Sequence, residues 1–119
     1  MAKVLGVGGV FFKCADPVAV REWYRRVLGF EITDFGGVLF QPLPIGMTVW
    51  SPFEAETKYF APSTGTTMFN FVVDDIDGVL AMAEAQGVHP LGRDDQGGIG
   101  RFAWLMDPAG MKIELWQPG

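Results

Sequence analysis

The sequence predicts an α+β domain built from two βαβββ modules, with their strands forming a curved mixed β-sheet groove and the helices on the outside. Two observations carry this. Each half places an apolar strand, an acid-capped helix and three short strand-like runs in the same order, and the two halves end on matching segments.

The first module begins with an apolar run through Val7-Gly8-Gly9-Val10-Phe11-Phe12 that leads by Lys13-Cys14-Ala15 into Asp16. Asp16 offers a carboxylate to the free amides of a helix start, Pro17 presets φ for the first helical position, and Gly29 supplies a left-handed stop. Between them Val20, Trp23, Tyr24, Val27 and Leu28 form one apolar stripe at helical spacing, leaving Arg21, Glu22, Arg25 and Arg26 for solvent. Strands are then expected at Phe30 to Thr33, Gly37 to Phe40 and Met47 to Trp50.

The second module repeats the logic. Thr66 to Val73 reads as a strand, Asp74-Asp75 as the helix start, Ile76, Val79, Leu80 and Ala83 as the apolar stripe, and Gly87 as the stop. Three further strands follow at about Val88 to Leu91, Arg101 to Met106 and Met111 to Trp116. The segment Gly46-Met47-Thr48-Val49-Trp50-Ser51-Pro52 is echoed by Gly110-Met111-Lys112-Ile113-Glu114-Leu115-Trp116-Gln117-Pro118. The 119 residues therefore read as a single domain, with module 1 at about 1–52, a linker at about 53–65 and module 2 at about 66–119. The linker carries Phe53, Tyr59 and Phe60, so it is expected to pack down as a lid or an interface.

Composition excludes several functions. At 49% hydrophobic and 19% charged, the chain has enough apolar material for one core. The net charge is −5 and no basic run exceeds Arg25-Arg26, which argues against nucleic acid as a partner. No stretch reaches the roughly 20 apolar residues of a membrane span. The single cysteine, Cys14, permits no internal disulfide and suits a reducing compartment, so a cytoplasmic location is expected. Lys13, directly before Cys14, argues against a lipoprotein signal.

Asp16-Pro17 through Trp23-Tyr24, Val27-Leu28-Gly29-Phe30, Val72-Val73-Asp74-Asp75-Ile76-Asp77 and Asp107-Pro108 through Glu114-Leu115-Trp116 together resemble the vicinal oxygen chelate superfamily. That superfamily includes glyoxalase I, bleomycin-resistance proteins, fosfomycin-resistance enzymes and extradiol dioxygenases. The resemblance implies the glyoxalase/bleomycin resistance fold. It does not fix an activity, because members isomerise, cleave rings, add thiols or sequester drugs. Catalytic members hold a divalent metal on the groove floor with ligands from the first and last strands of each module. Carried over by the motif, those positions are Gly9, Thr48, Met68 and Glu114, of which only Glu114 offers a strong donor.

Strand alternation extends this reading. With Thr48, Met68 and Glu114 facing the groove, Trp50, Asn70, Lys112 and Trp116 face it as well, and Phe11 joins from the first strand. Val49, Phe69, Phe71, Ile113 and Leu115 then face the helices. Phe102 and Trp104 are wall candidates on the seventh strand, whose face the pattern leaves open. Trp50 and Trp116 together would form a stacking clamp for a planar or cationic ligand, or ordinary groove or interface packing.

Other chemistry is weaker. His89, between Gly87 and Pro90, reads as a solvent-facing loop residue, and Cys14 as a small buried hydrophobe. Ser51 and Ser63 sit in no nucleophile elbow, and Gly6-Val7-Gly8-Gly9 lacks the third glycine of a dinucleotide fingerprint. Asp94-Asp95-Gln96-Gly97-Gly98 reads as a turn. The favoured function is metal-independent binding of a small aromatic or cationic molecule by a homodimer, with no cofactor. The alternatives are a glyoxalase-like lyase, isomerase or dioxygenase that uses Glu114 as base or in a divergent divalent-metal site, and a dimeric interaction module without a ligand.

Overall fold

The computed structural model describes residues 9–119. The opening of the expected first strand, including Gly6, Val7 and Gly8, lies outside the described residues. Helix α1 spans Pro17–Leu28, strand β1 Phe69–Val72, helix α2 Ile76–Ala85, strand β2 Gly92–Asp95, strand β3 Gly100–Met106 and strand β4 Lys112–Pro118, with a short 3-10 turn at Gly97–Ile99 before β3.

Both helices start and stop where their local chemistry requires. Asp16 accepts a hydrogen bond from the Ala19 amide at 3.1 Å, and Asp75 does the same for Gly78 at 3.1 Å. At the end of α1, Gly29 takes φ 71°, its amide reaches the Arg25 carbonyl and the Phe30 amide reaches the Tyr24 carbonyl. This satisfies carbonyls the helix cannot satisfy itself, and the Phe30 ring packs 5.1 Å from that of Tyr24 across the stop.

The sheet is mixed, in the order β1-β4-β3-β2, with β1 parallel to β4 and the other pairs antiparallel. The second module is thus a complete βαβββ unit, with its first strand beside its last. Ala103, Leu105, Ile113 and Leu115 point to the helices and are fully buried with Val27, Ile76 and Ala83. Each large apolar side chain taken from water here contributes about 1.5–3 kcal/mol, and together they clamp both helices onto one sheet face.

The second strand of this module forms later than the sequence suggested. Val88 donates its amide to the Ala83 carbonyl at the end of α2, and Pro90 has no amide to donate, so residues 88–90 cannot start a ladder. Pairing begins with the Leu91 amide on the Trp104 carbonyl, and β2 follows. Asp94 and Asp95 consequently lie in β2 opposite Phe102 and Arg101, and the turn moves to Gly97–Ile99.

In the first module the helix forms as expected, but Phe30 to Thr33, Gly37 to Phe40 and Met47 to Trp50 make no strand ladder. A tight turn joins the first two runs, with the Thr33 amide on the Gly37 carbonyl at 2.9 Å, and Arg21 Nε clips it to α1 through the Gly36 carbonyl at 2.8 Å. Alternating apolar residues specify a face but not a partner, and a ladder also needs amides. Pro42 and Pro44 supply none between the second and third runs. Val49, expected to face a helix, is exposed with Leu39 and Met47.

Candidate functional site

The sheet face turned away from the helices is defined by elimination. With Ala103 and Leu105 in the core, Phe102 and Trp104 must point the other way, which fixes the face left open for β3. Register then sets Trp104, Glu114 and Asn70 side by side across β3, β4 and β1, and Phe102, Trp116 and Val72 in the next row.

Glu114 is the centre of this face. Its carboxylate is buried, and both oxygens are engaged by uncharged donors. Asn70 Nδ2 donates to Oε1 at 2.7 Å, Trp104 Nε1 donates to Oε2 at 2.8 Å, and the Tyr59 hydroxyl donates to the same Oε2. A carboxylate removed from water needs such partners to remain in place.

The linker roofs the carboxylate. Phe53 stacks on Tyr59 at 5.7 Å, and Tyr59 meets Trp104 edge to face at 6.1 Å. Lys112 Nζ donates to the Tyr59 carbonyl at 2.7 Å, while Ser63 Oγ donates to the Gly110 carbonyl at 2.7 Å. Burial, reinforced by the adjacent Glu114 carboxylate, pushes the Tyr59 phenol above the usual tyrosine range, so it remains a donor across the physiological pH range.

The sequence candidates divide into two groups. Glu114, Asn70 and Trp104 are in direct contact, and Phe102 stacks on Trp116 with ring centroids 6.1 Å apart and planes 4° from parallel. Trp116 is further held by its Nε1 on the Ile99 carbonyl at 2.9 Å. Phe11 is 94% exposed, Trp50 is 80% exposed, Thr48 is exposed, and Met68 is half-buried just before β1. Trp50 therefore makes no clamp with the buried Trp116, because the segment that carries it pairs with no strand of the sheet. Tyr59 and Lys112 complete the site. The aromatic content of the linker was the available signal for Tyr59, and strand alternation already put Lys112 on this face.

The donor set does not fit a divalent metal. Of the four positions implied by the resemblance, only Glu114 carries a carboxylate, and an indole N–H, a phenol and an amide N–H already point at it. Among the described residues no group of three or more His, Cys, Asp or Glu side chains is placed to hold a metal ion. Two shallow depressions lie beyond Glu114, about 150 Å³ beside Arg93 and Phe102 and about 130 Å³ between Ser63 and Met111.

A βαβββ unit with its helix outside and a polar-aromatic sheet face inside defines a protein of the glyoxalase/bleomycin-resistance class. Residues 9–116 match the glyoxalase-like domain, and the chain belongs to that family within the vicinal oxygen chelate superfamily. Among solved structures, a protein from the mobile metagenome of V. Pseudocholerae shares 19% identity at a TM-score of 0.64, covering 100% of this chain and 98% of its own. TnmS3, an antibiotic binding protein from Streptomyces sp. CB03234, shares 22% identity at a TM-score of 0.57, with 89% of each chain covered. Lactoylglutathione lyase from Agrobacterium tumefaciens shares 22% identity at a TM-score of 0.55, with 87% of each chain covered. No curated protein matches the chain. No helix among the described residues is long and apolar enough to cross a membrane.

Proposed function

We propose that this protein binds a small aromatic or cationic molecule on the sheet face turned away from the helices, under the Tyr59 linker, and sequesters it without a metal and without breaking a bond. The observation that carries this reading is the buried Glu114 carboxylate, held by Asn70, Trp104 and Tyr59 on a face lined by Phe102 and Trp116. Apolar burial against the rings would supply affinity, and the fixed carboxylate would supply orientation. Two donors on Oε2 and one on Oε1 hold the carboxylate in one orientation and leave a single lone pair on Oε1, which suits anchoring a ligand better than shuttling a proton. TnmS3 illustrates that this fold is used for antibiotic binding, and the Agrobacterium lyase that it is also used for catalysis, so the side chains must discriminate.

We also propose a cytoplasmic protein in which a second copy covers the first-module surface, where Phe11, Leu39, Phe40, Val49 and Trp50 stand in solvent. Sedimentation should then give twice the chain mass, and a monomer at micromolar concentration would remove this part of the reading.

The test of binding is a tryptophan-fluorescence screen of aromatic and cationic compounds against the wild type and Glu114→Gln. Saturable quenching weakened at least tenfold by the substitution is expected. Equal binding by both proteins would detach the ligand from Glu114.

A further inference from the structure

Lys112 makes no ion pair among the described residues. Its ammonium instead lies 5.3 Å from the ring centroid of Tyr59 and 5.3 Å from that of Trp104. The polar edges of the same two rings donate to Glu114 Oε2, so the ring faces meet the ammonium while a carboxylate lies at the ring edges. Two ring quadrupoles backed by a negative charge are what an organic cation seeks on leaving water. The lysine uses one of its three donors here, on the Tyr59 carbonyl, and a primary ammonium is strongly hydrated, so it is a weak occupant.

We propose that Tyr59 and Trp104, backed by Glu114, form an ammonium subsite that Lys112 fills in the resting protein, and that the ligand is an organic cation whose ammonium displaces Lys112. This rests on the groove-binding reading above and narrows it to one ligand class. Displacement breaks the bond from Lys112 to the Tyr59 carbonyl, so ligand entry and loosening of the linker are a single event.

The test is calorimetric titration of the wild type, Lys112→Met and Lys112→Arg with choline and with its neutral isostere 3,3-dimethylbutan-1-ol. Lys112→Met should bind choline about tenfold more tightly than the wild type, the scale of one desolvated cation–π contact, with the isostere changed by less than about twofold. Lys112→Arg, which keeps the competing charge, should gain nothing, and adding Tyr59→Leu to Lys112→Met should erase the gain. Thermal unfolding of each variant checks that the fold is retained. Equal choline affinity in wild type and Lys112→Met, a parallel gain for the isostere, or no choline binding by any variant would overturn the proposal. Neutral aromatic compounds still binding in that event would leave the broader groove reading standing, whereas failure of every probe would remove both.

Discussion

The Tyr24 hydroxyl donates a 2.7 Å hydrogen bond to Asp107 Oδ2 across 83 residues of sequence, tying the first-module helix to the turn between β3 and β4. Asp107 is buried, and its other oxygen accepts from the amides of Ala109 and Met111, both at 2.9 Å. One carboxylate therefore shapes the turn and anchors α1. Tyr24→Phe removes the long-range donor and leaves a buried oxygen without its partner, which should cost about 1–3 kcal/mol in urea unfolding at neutral pH. No change in midpoint would mean that the bond contributes nothing net.

Alkaline pH should destabilise the fold through the same residue. Burial and the Asp107 carboxylate raise the Tyr24 phenol well above its unfolded value of 10.0. A raised folded pKa means that the stability is fully present below pH 10 and is lost as pH rises beyond it, because the unfolded chain releases a proton that the folded chain retains. The loss from Tyr24 is about 1.4 kcal/mol per pH unit until the folded group titrates. Tyr59 shifts in the same direction. These are the two tyrosines of the chain, so tyrosinate absorbance of the native protein should not rise near pH 10; an ordinary titration there would contradict both assignments.

Elemental analysis of protein purified without chelator or affinity tag, beside Glu114→Ala, should find transition metal at background in both. About one equivalent per chain, lost in the variant, would replace the sequestration reading with a metalloenzyme.

Glu114→Gln should also lower stability, by about 1–3 kcal/mol, since the new amide nitrogen cannot accept a bond from Asn70, Trp104 or Tyr59. Tyr59→Phe removes one donor at the margin of the site and should cost less. Reversal of this order in chemical denaturation would show that the linker contact, not the sheet row, holds the carboxylate.

Gly100 takes φ 131°, and a side chain there would run into the Gln117 carbonyl on β4 and the Trp116 indole. Gly100→Ala should therefore lower the unfolding midpoint by at least as much as a core truncation such as Leu115→Ala, for which about 2–5 kcal/mol is expected. A near-neutral result would mean that the β3 start bends freely away from β4.

What the sequence determined by itself is local. Asp16, Pro17 and Gly29 bound one helix and Asp75 starts the other, because caps and stops act within three or four residues. Helical periodicity selected the buried stripes of α1 and α2, and alternation put Asn70, Lys112 and Glu114 on one face of the sheet. Only the tertiary structure decided the rest. The first-module runs had the right alternation but acquired no ladder, since alternation carries no information about which amides a strand will meet. The face of β3 followed from its pairing with β4, and Trp50 went to solvent although its repeat partner Trp116 is buried. Tyr59 reaches Glu114 across 55 residues and Lys112 reaches Tyr59 across 53. Contacts of that range are chosen by the packing of the whole chain, where a side chain's partner depends on what the fold brings beside it and not on its neighbours in sequence.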